Sequence, residues 1–340
     1  MKSNLRKILV VFICLLTLTG CGSKNYLVDK NKKMVTYEKT GQTLPTNILC
    51  KPTDKKLIET YEKYASQLKK PLNKIPDCSK FKISFKESKS IWEGLFIRPL
   101  AFLIIKLGKI LNNYGWSVIL IGLAIRVLLL PVSLKTQKQS ENMKKITPEL
   151  KKIEKKYENQ TTNEAMMAKS QEMMMLYKKY KVSPFSSCLL AFIQLPLFLA
   201  FLQAINRVPV IFEDSLFGLR LGMTPLHGLK TGNYLYIVLI LLIIVTTYLS
   251  LRKALSSTAT NDDQARSIKT TLYFSIGLIV FTSFNLSTAI GLYWVATNGF
   301  IVIQNAIIQK MIENKPEKRD NSNYKSKKKV SIKEKVERRR

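Results

Sequence analysis

Histidine is nearly absent from this 340-residue chain; His227 is the single one. Acidic residues are also few, 23 against 55 Lys and Arg, and none falls in the apolar stretches at 115–134, 185–205, 233–252, 268–285 and 288–309. Those absences argue against histidine- or carboxylate-based catalysis. No Gly-x-x-x-x-Gly-Lys-Ser/Thr loop occurs, so nothing advertises nucleotide hydrolysis. No metal or cofactor site is read from the residues. What remains is a net charge of +32 beside a mean hydropathy of +0.01. Such a pairing suggests apolar and basic blocks laid end to end rather than one mixed globule. Blocks such as 234–251 are too apolar for a soluble surface, so the chain reads as an integral membrane protein.

Residues 1–20 carry Lys2, Arg6 and Lys7, then a short apolar run at 8–18, then Thr19-Gly20 before Cys21. The run is too short for a comfortable membrane span and fits a signal-peptide core. The small residues before Cys21 resemble a bacterial lipobox, where cleavage leaves a lipidated cysteine. An uncleaved anchor with an incidental cysteine is the alternative. The exported segment 22–90 then holds Cys50 and Cys78, in an oxidising place where a disulfide can form. The sequence leaves their pairing open, because it does not supply the geometry.

That segment is Lys-rich and polar, with 16 Lys/Arg against 7 acids, and reads as small and loosely packed. Only 54–69 has helical spacing, through Leu57, Ile58, Tyr61, Tyr64 and Leu68. Residues 91–113 are amphipathic, with Glu93, Arg98, Lys106 and Lys109 interrupting the apolar positions. They suit a helix lying in the outer interface with Trp92 at one end, the alternative being another span. The apolar stretch from 268 to 309 would be a single helix of ~60 Å, twice the hydrocarbon core, so Asn285-Leu286-Ser287-Thr288 must turn it.

An all-α membrane protein with five transmembrane helices follows, its core at 114–312. An outside start puts the carboxyl terminus in the cytoplasm. Loop charges agree: 12 Lys/Arg at 135–181 and 13 at 310–340, against three at 206–232.

Arg126 sits inside Ile125-Arg126-Val127-Leu128-Leu129-Leu130-Pro131. A cation at that depth costs several kcal/mol unless paired or hydrated, which makes it a functional candidate by default. Snorkelling to the interface is the structural alternative. No span offers it a carboxylate, so water, backbone carbonyls or a visiting anion would have to satisfy it. Gln194, Asn298, Gln304 and other uncharged polar residues can line a hydrophilic groove with it, although singly such groups are more often interhelical glue.

The loop 135–181 reads as a helical hairpin, with Pro148 opening a helix after Thr147. Its returning arm carries Met166, Met167, Met173, Met174 and Tyr177. Those side chains serve equally for packing within the hairpin or as an adaptable surface for varied partners. The tail 313–340, with Lys327, Lys328, Lys329, Arg338, Arg339 and Arg340, fits anionic lipid or, as a basic arm, ribosomal RNA.

In this order, the residues resemble the YidC/Oxa/Alb membrane-protein insertase family in its Gram-positive lipoprotein form. The resemblance covers about 90–312. It rests on 125–131, on Ile146-Thr147-Pro148-Glu149-Leu150 through Leu176-Tyr177-Lys178-Lys179-Tyr180, on Ile193-Gln194-Leu195-Pro196, and on Gly291-Leu292-Tyr293-Trp294. Ser183-Pro184 and Ser287-Thr288-Ala289 depart from the family pattern. The resemblance implies a cofactor-free insertase and chaperone, not an enzyme, that moves nascent spans from cytoplasm to lipid, alone or with the Sec translocon. Arg126 would be the groove arginine, with Gln194 and Trp294 lining the groove. Nascent membrane proteins, the ribosome and the translocon would be its partners, and the bacterial cell membrane its location.

Two rivals remain on the residues alone. A small-anion transporter or channel should show repeated halves, and none is visible. An intramembrane enzyme would lack a base for its nucleophile.

Overall fold

In the computed structural model, residues 25–183, 186–256 and 262–313 are described. The signal segment 1–20, Cys21, Lys327, Lys328, Lys329, Arg338, Arg339 and Arg340 lie outside the described residues. The chain divides into two compact units after Val302.

Residues 25–90 are better packed than their composition suggests. Isolated bridges pair Tyr26 with Pro45, Val28 with Met34 and Thr36 with Thr43, all antiparallel. Leu27, Tyr37, Leu44, Ile48, Leu57, Tyr61 and Ile75 close into a separate apolar core. The expectation of loose packing is corrected here: each bridge is a residue or two long, too short to give a strand signature. Helix α1 covers Lys55–Lys63, and the Asp54 carboxylate caps it by accepting from the Lys56 and Leu57 amides. It stops short of the expected 69 because Gln67 turns away. Its side chain accepts from the Val28 amide at 2.9 Å and donates to the Val28 carbonyl at 2.7 Å. The Cys50 and Cys78 sulfurs are bonded to each other.

A π-helical turn at Glu93–Ile97 leads into α2, Arg98–Leu111. Trp92 is buried against Phe96 in the main core instead of standing at an interface. Its neighbour Glu93 is drawn inward by Arg98 and Arg207, and Trp92 follows. Asn112, in the left-handed region at φ 50°, ends α2, and the Asn113 side chain caps α3, Tyr114–Leu128.

The first expected span, 115–134, is not one straight helix. It breaks at Leu129, and α4, Leu130–Lys156, departs at 55°. Pro131 has no N–H to give the Val127 carbonyl, which weakens the ladder at that point. Pro148 does not start a helix either. α4 runs through it for 27 residues. Proline inside a helix costs about 3 kcal/mol, but the stripe Met143, Ile146, Leu150 and Ile153 packs against Met173, Leu176, Tyr177 and Val182 and holds the helix together. Thr162 caps the returning helix α5, Asn163–Lys179, so an antiparallel hairpin results.

Then follow α6, Ser186–Asn206, and a short α7, Val210–Glu213. A two-residue-per-strand hairpin, β1 Ser215–Leu216 with β2 Leu219–Arg220, precedes α8, Pro225–Lys230. Three long helices complete the described residues: α9, Leu235–Ser256; α10, Asp262–Ser283; and α11, Thr288–Glu313. α9 and α11 contain stretches long and apolar enough to cross a membrane, and the bent pair α3–α4 passes the same test together. α6 and α10 contain shorter apolar stretches, at Ile193–Asn206 and Leu272–Ser283. The fold is that of a mostly helical membrane protein.

The segment 25–90 sits on the 206–232 connection. The Leu49 amide donates to the Arg207 carbonyl, and the Thr224 amide to the Thr40 carbonyl. Glu213 takes the Thr53 and Asp54 amides at 2.7 and 3.0 Å. Gly41, at φ +68°, lies so close to His227 that a Cβ there would stand 2.8 Å from the histidine Cβ. The chain turns of 206–232 and the segment 25–90 therefore share one end of the first unit.

Candidate functional site: a buried arginine among three helices

Gly122 and Arg126 lie four residues apart on α3 and so on one helix face. An added Cβ at Gly122 would come 2.8 Å from Tyr293 Cδ2 and 3.2 Å from Thr297 Cγ2 of α11. Glycine thus lets α11 approach directly beside the arginine. Tyr293 in turn stacks on Phe201 of α6, with ring centroids 4.1 Å apart. α3, α6 and α11 are locked around one point.

Arg126 occupies that point and is 7% exposed. Its Nη1 donates to Gln194 Oε1 of α6 at 2.6 Å, and Gln194 also faces the Tyr293 hydroxyl. Among the described residues no carboxylate forms an ion pair with it. A charged donor on a neutral amide is worth about 1.5–3 kcal/mol, less than a buried guanidinium loses on leaving water. Arginine carries five N–H donors, and this bond occupies one of them. The site is therefore a net positive charge held in place by neutral groups. It has the electrostatics to attract an anion without being neutralised by the protein itself.

Two other residues expected in the groove make hydrogen bonds to α9. Trp294 Nε1 donates to Thr247 Oγ1 of α9 at 2.8 Å, and its ring meets Phe198 edge-on. Asn298 accepts from Ser250 Oγ of α9 at 3.0 Å and donates to the Trp294 carbonyl. These pairs tie α11 to α9. Gln304 is a buried residue of the second unit and is described apart from this constellation. Arg126 and Gln194 are thus brought together directly. Tyr293 and Gly122 complete their surroundings, although the sequence reading had not singled them out. The signal for both was present: Gly122 lies one turn from the arginine, and Tyr293 sits within Gly291-Leu292-Tyr293-Trp294.

The hairpin separates its methionines. Met173 and Tyr177 pack against the hairpin core, whereas Met166, Met167 and Met174 are more than half exposed. An open cleft of ≈ 1200 Å³ runs beside them, lined by Lys151, Tyr157, Met166, Lys169, Met173 and Tyr177 among others. Elsewhere on the hairpin Lys156 hydrogen-bonds Glu172, which holds that carboxyl below its ordinary range.

Residues 106–315 match the family described as "60Kd inner membrane protein". The chain is 34% identical over 222 residues to a protein named membrane protein insertase YidC from Alkalihalophilus pseudofirmus, which covers 64% of this chain and 82% of that one. A protein of the same name from Oceanobacillus iheyensis is 32% identical over 224 residues, covering 66% and 85%. The membrane protein insertase MisCA of Bacillus subtilis is 29% identical over 226 residues, covering 66% and 81%. The match takes in α3 through α11 with the buried arginine and its glutamine, and the chain belongs to the 60Kd inner membrane protein family, that of YidC.

Proposed function

We propose that this chain is a membrane protein insertase that passes nascent transmembrane segments from the cytoplasm into the bilayer by way of Arg126. The observation that carries this reading is a guanidinium buried to 7% exposure with a neutral partner and no carboxylate among the described residues. A small-anion transporter would also use such a charge. The family membership and the names of the relatives favour the insertase.

On this reading five spans, formed by α3 with the start of α4, by α6, α9, α10 and α11, surround a groove open to the cytoplasm. The lipidated Cys21 and the segment 22–90 lie outside. The hairpin and the basic tail lie inside, where the exposed methionines take apolar clients and Lys327–329 and Arg338–340 meet the ribosome or anionic lipid. α2 lies at the outer interface. The Sec translocon is a further partner for clients too large for the groove.

A client enters with a short acidic end that must cross. Arg126 attracts that end, and the polar lining lowers its desolvation cost. The ~20 apolar residues that follow then partition into lipid, and their burial drives the step. At ~6 Å and an effective dielectric of ~20, one charge pair contributes about 3 kcal/mol. The test compares wild type with Arg126→Ala on clients with acidic and neutral translocated ends. The acidic client should lose at least tenfold in insertion rate and the neutral one little. Equal loss on both, at normal protein levels, would remove the electrostatic role.

A further inference from the structure

Between residues 69–89 and the first turn of α2 lies a second cleft of ≈ 350 Å³, within the size range of small-ligand sites. Its lining is strongly basic. The two carboxylates in it are already shared among three cations. Glu87 pairs with Lys70 at 2.9 Å and Arg98 at 3.5 Å, and Glu93 with Arg98 at 3.2 Å and Arg207 at 3.3 Å. Lys69, Lys74, Lys82 and Lys89 also line the cleft, and among the described residues none of them forms an ion pair. Lys69 Nζ donates to the neutral Asn25 Oδ1 at 2.6 Å, and burial, with Arg207 and Lys89 nearby, holds its ammonium below its ordinary range.

A lysine-rich rim alone would be an ordinary solvated surface. This one is interleaved with solvent-exposed apolar side chains. Along the strip, Lys82, Ser84, Glu87, Lys89 and Glu93 face the cleft. Between them Ile83, Phe85 and Ile91, and just after them Leu95, are exposed by 40, 66, 74 and 55%. Cations beside a row of solvent-exposed large apolar groups match the boundary between phosphate and acyl chain in a lipid monolayer. The strip leads straight into α2, whose exposed face continues with Leu103 and Ile110.

We propose that this cleft is a headgroup site for an anionic phospholipid of the outer leaflet. The four lysines without an ion pair hold the phosphate, while Ile83, Phe85, Ile91 and Leu95 enter the acyl region. The proposal rests on reading 25–90 as the exported segment. It gives that segment a role outside the client groove, namely seating the outer end of α2 and α6 on the membrane through Arg98 and Arg207.

The test is native mass spectrometry of the full-length, delipidated protein in detergent. Dioctanoyl phosphatidylglycerol, dioctanoyl phosphatidylcholine and glycerol 1-phosphate are titrated in turn. Lys69→Gln/Lys74→Gln/Lys82→Gln/Lys89→Gln should lose one equivalent of the phosphatidylglycerol and bind it at least tenfold more weakly. Phe85→Ser/Ile91→Ser should weaken the lipid but leave glycerol phosphate unchanged. Both variants should retain the Cys50–Cys78 bond and the thermal midpoint, so that misfolding does not imitate the loss. Unchanged phosphatidylglycerol binding in the lysine variant, or equal binding of phosphatidylcholine, overturns the proposal. Glycerol phosphate binding as tightly as the lipid, with the Phe85/Ile91 variant silent, also overturns it in favour of a soluble phosphate ligand. Insertion by either variant into neutral-lipid vesicles should stay at the wild-type level. A failure of the insertase reading would therefore appear in that assay and leave the lipid count unaffected.

Discussion

Replacing Gln194 with leucine removes the acceptor 2.6 Å from Arg126 Nη1 and leaves the guanidinium buried without it. Hydrogen bonds to charged groups contribute about 1.5–3 kcal/mol, whereas interhelical bonds within membranes average nearer ~0.6 and reach ~1.7. A short, charge-assisted bond belongs at the upper end of the membrane range, so Gln194→Leu should cost about 1.5 kcal/mol. Arg126→Leu removes the buried charge itself and leaves a neutral amide that still faces Tyr293. Its cost should be smaller, because the desolvated cation disappears with the bond. The double variant should then be more stable than the sum of the two single losses by at least ~1 kcal/mol, the expected coupling of residues in contact. Thermal unfolding in detergent measures the stabilities, and insertion of an acidic-ended client measures function. The account predicts that the double variant regains stability but not insertion. Additive losses would mean that the pair is not coupled. Recovery of insertion along with stability would mean that Arg126 serves only to hold the helices.

Further outcomes follow from particular contacts. Gly122→Val places a side chain into Tyr293 and Thr297 and should cost about 1–3 kcal/mol by overpacking; an unchanged thermal midpoint would refute the close approach of α3 and α11. Cys50→Ser/Cys78→Ser opens a loop of sequence separation 28 and should cost the segment roughly 3–4 kcal/mol, read as faster proteolysis of 25–90 while the spans stay protected. Asp54→Ala removes the cap of α1 and should cost about 1 kcal/mol, read as faster amide exchange over Lys55–Lys63. The Lys39 ammonium holds the Asp54 carboxyl at about 2, below its ordinary 3.8. Its contribution is therefore full above about pH 4 and lost as the pH falls through 2, and Asp54→Ala should abolish that acid limb.

The helices were legible where periodicity and length agree. The segments 233–252 and 288–309 have apolar runs of span length, and α9 and α11 occupy them. The break at Leu129 was written in Pro131, but a single proline two residues from a helix start reads equally as continuation. Pro148 shows the converse: its local preference lost to the packing of Ile146 and Leu150 on Leu176, which no local pattern reports. The core of 25–90 was hidden for a similar reason, since its pairings reach 6 to 39 residues along the chain in elements one residue long. At the site, charge and depth singled out Arg126. Gln194 was one of many uncharged polar residues in the spans, and only the family resemblance singled it out as lining the groove with Arg126. Tyr293 lay within Gly291-Leu292-Tyr293-Trp294, but a tyrosine in an apolar helix gives no sign of which neighbour its ring will meet.

The most direct test of the insertase reading is co-translational insertion of a single-span client into liposomes that contain this protein and no other. The account predicts that insertion depends on the protein, and that Arg126→Ala reduces it for a client with an acidic translocated end. Insertion no greater than into empty liposomes would contradict it.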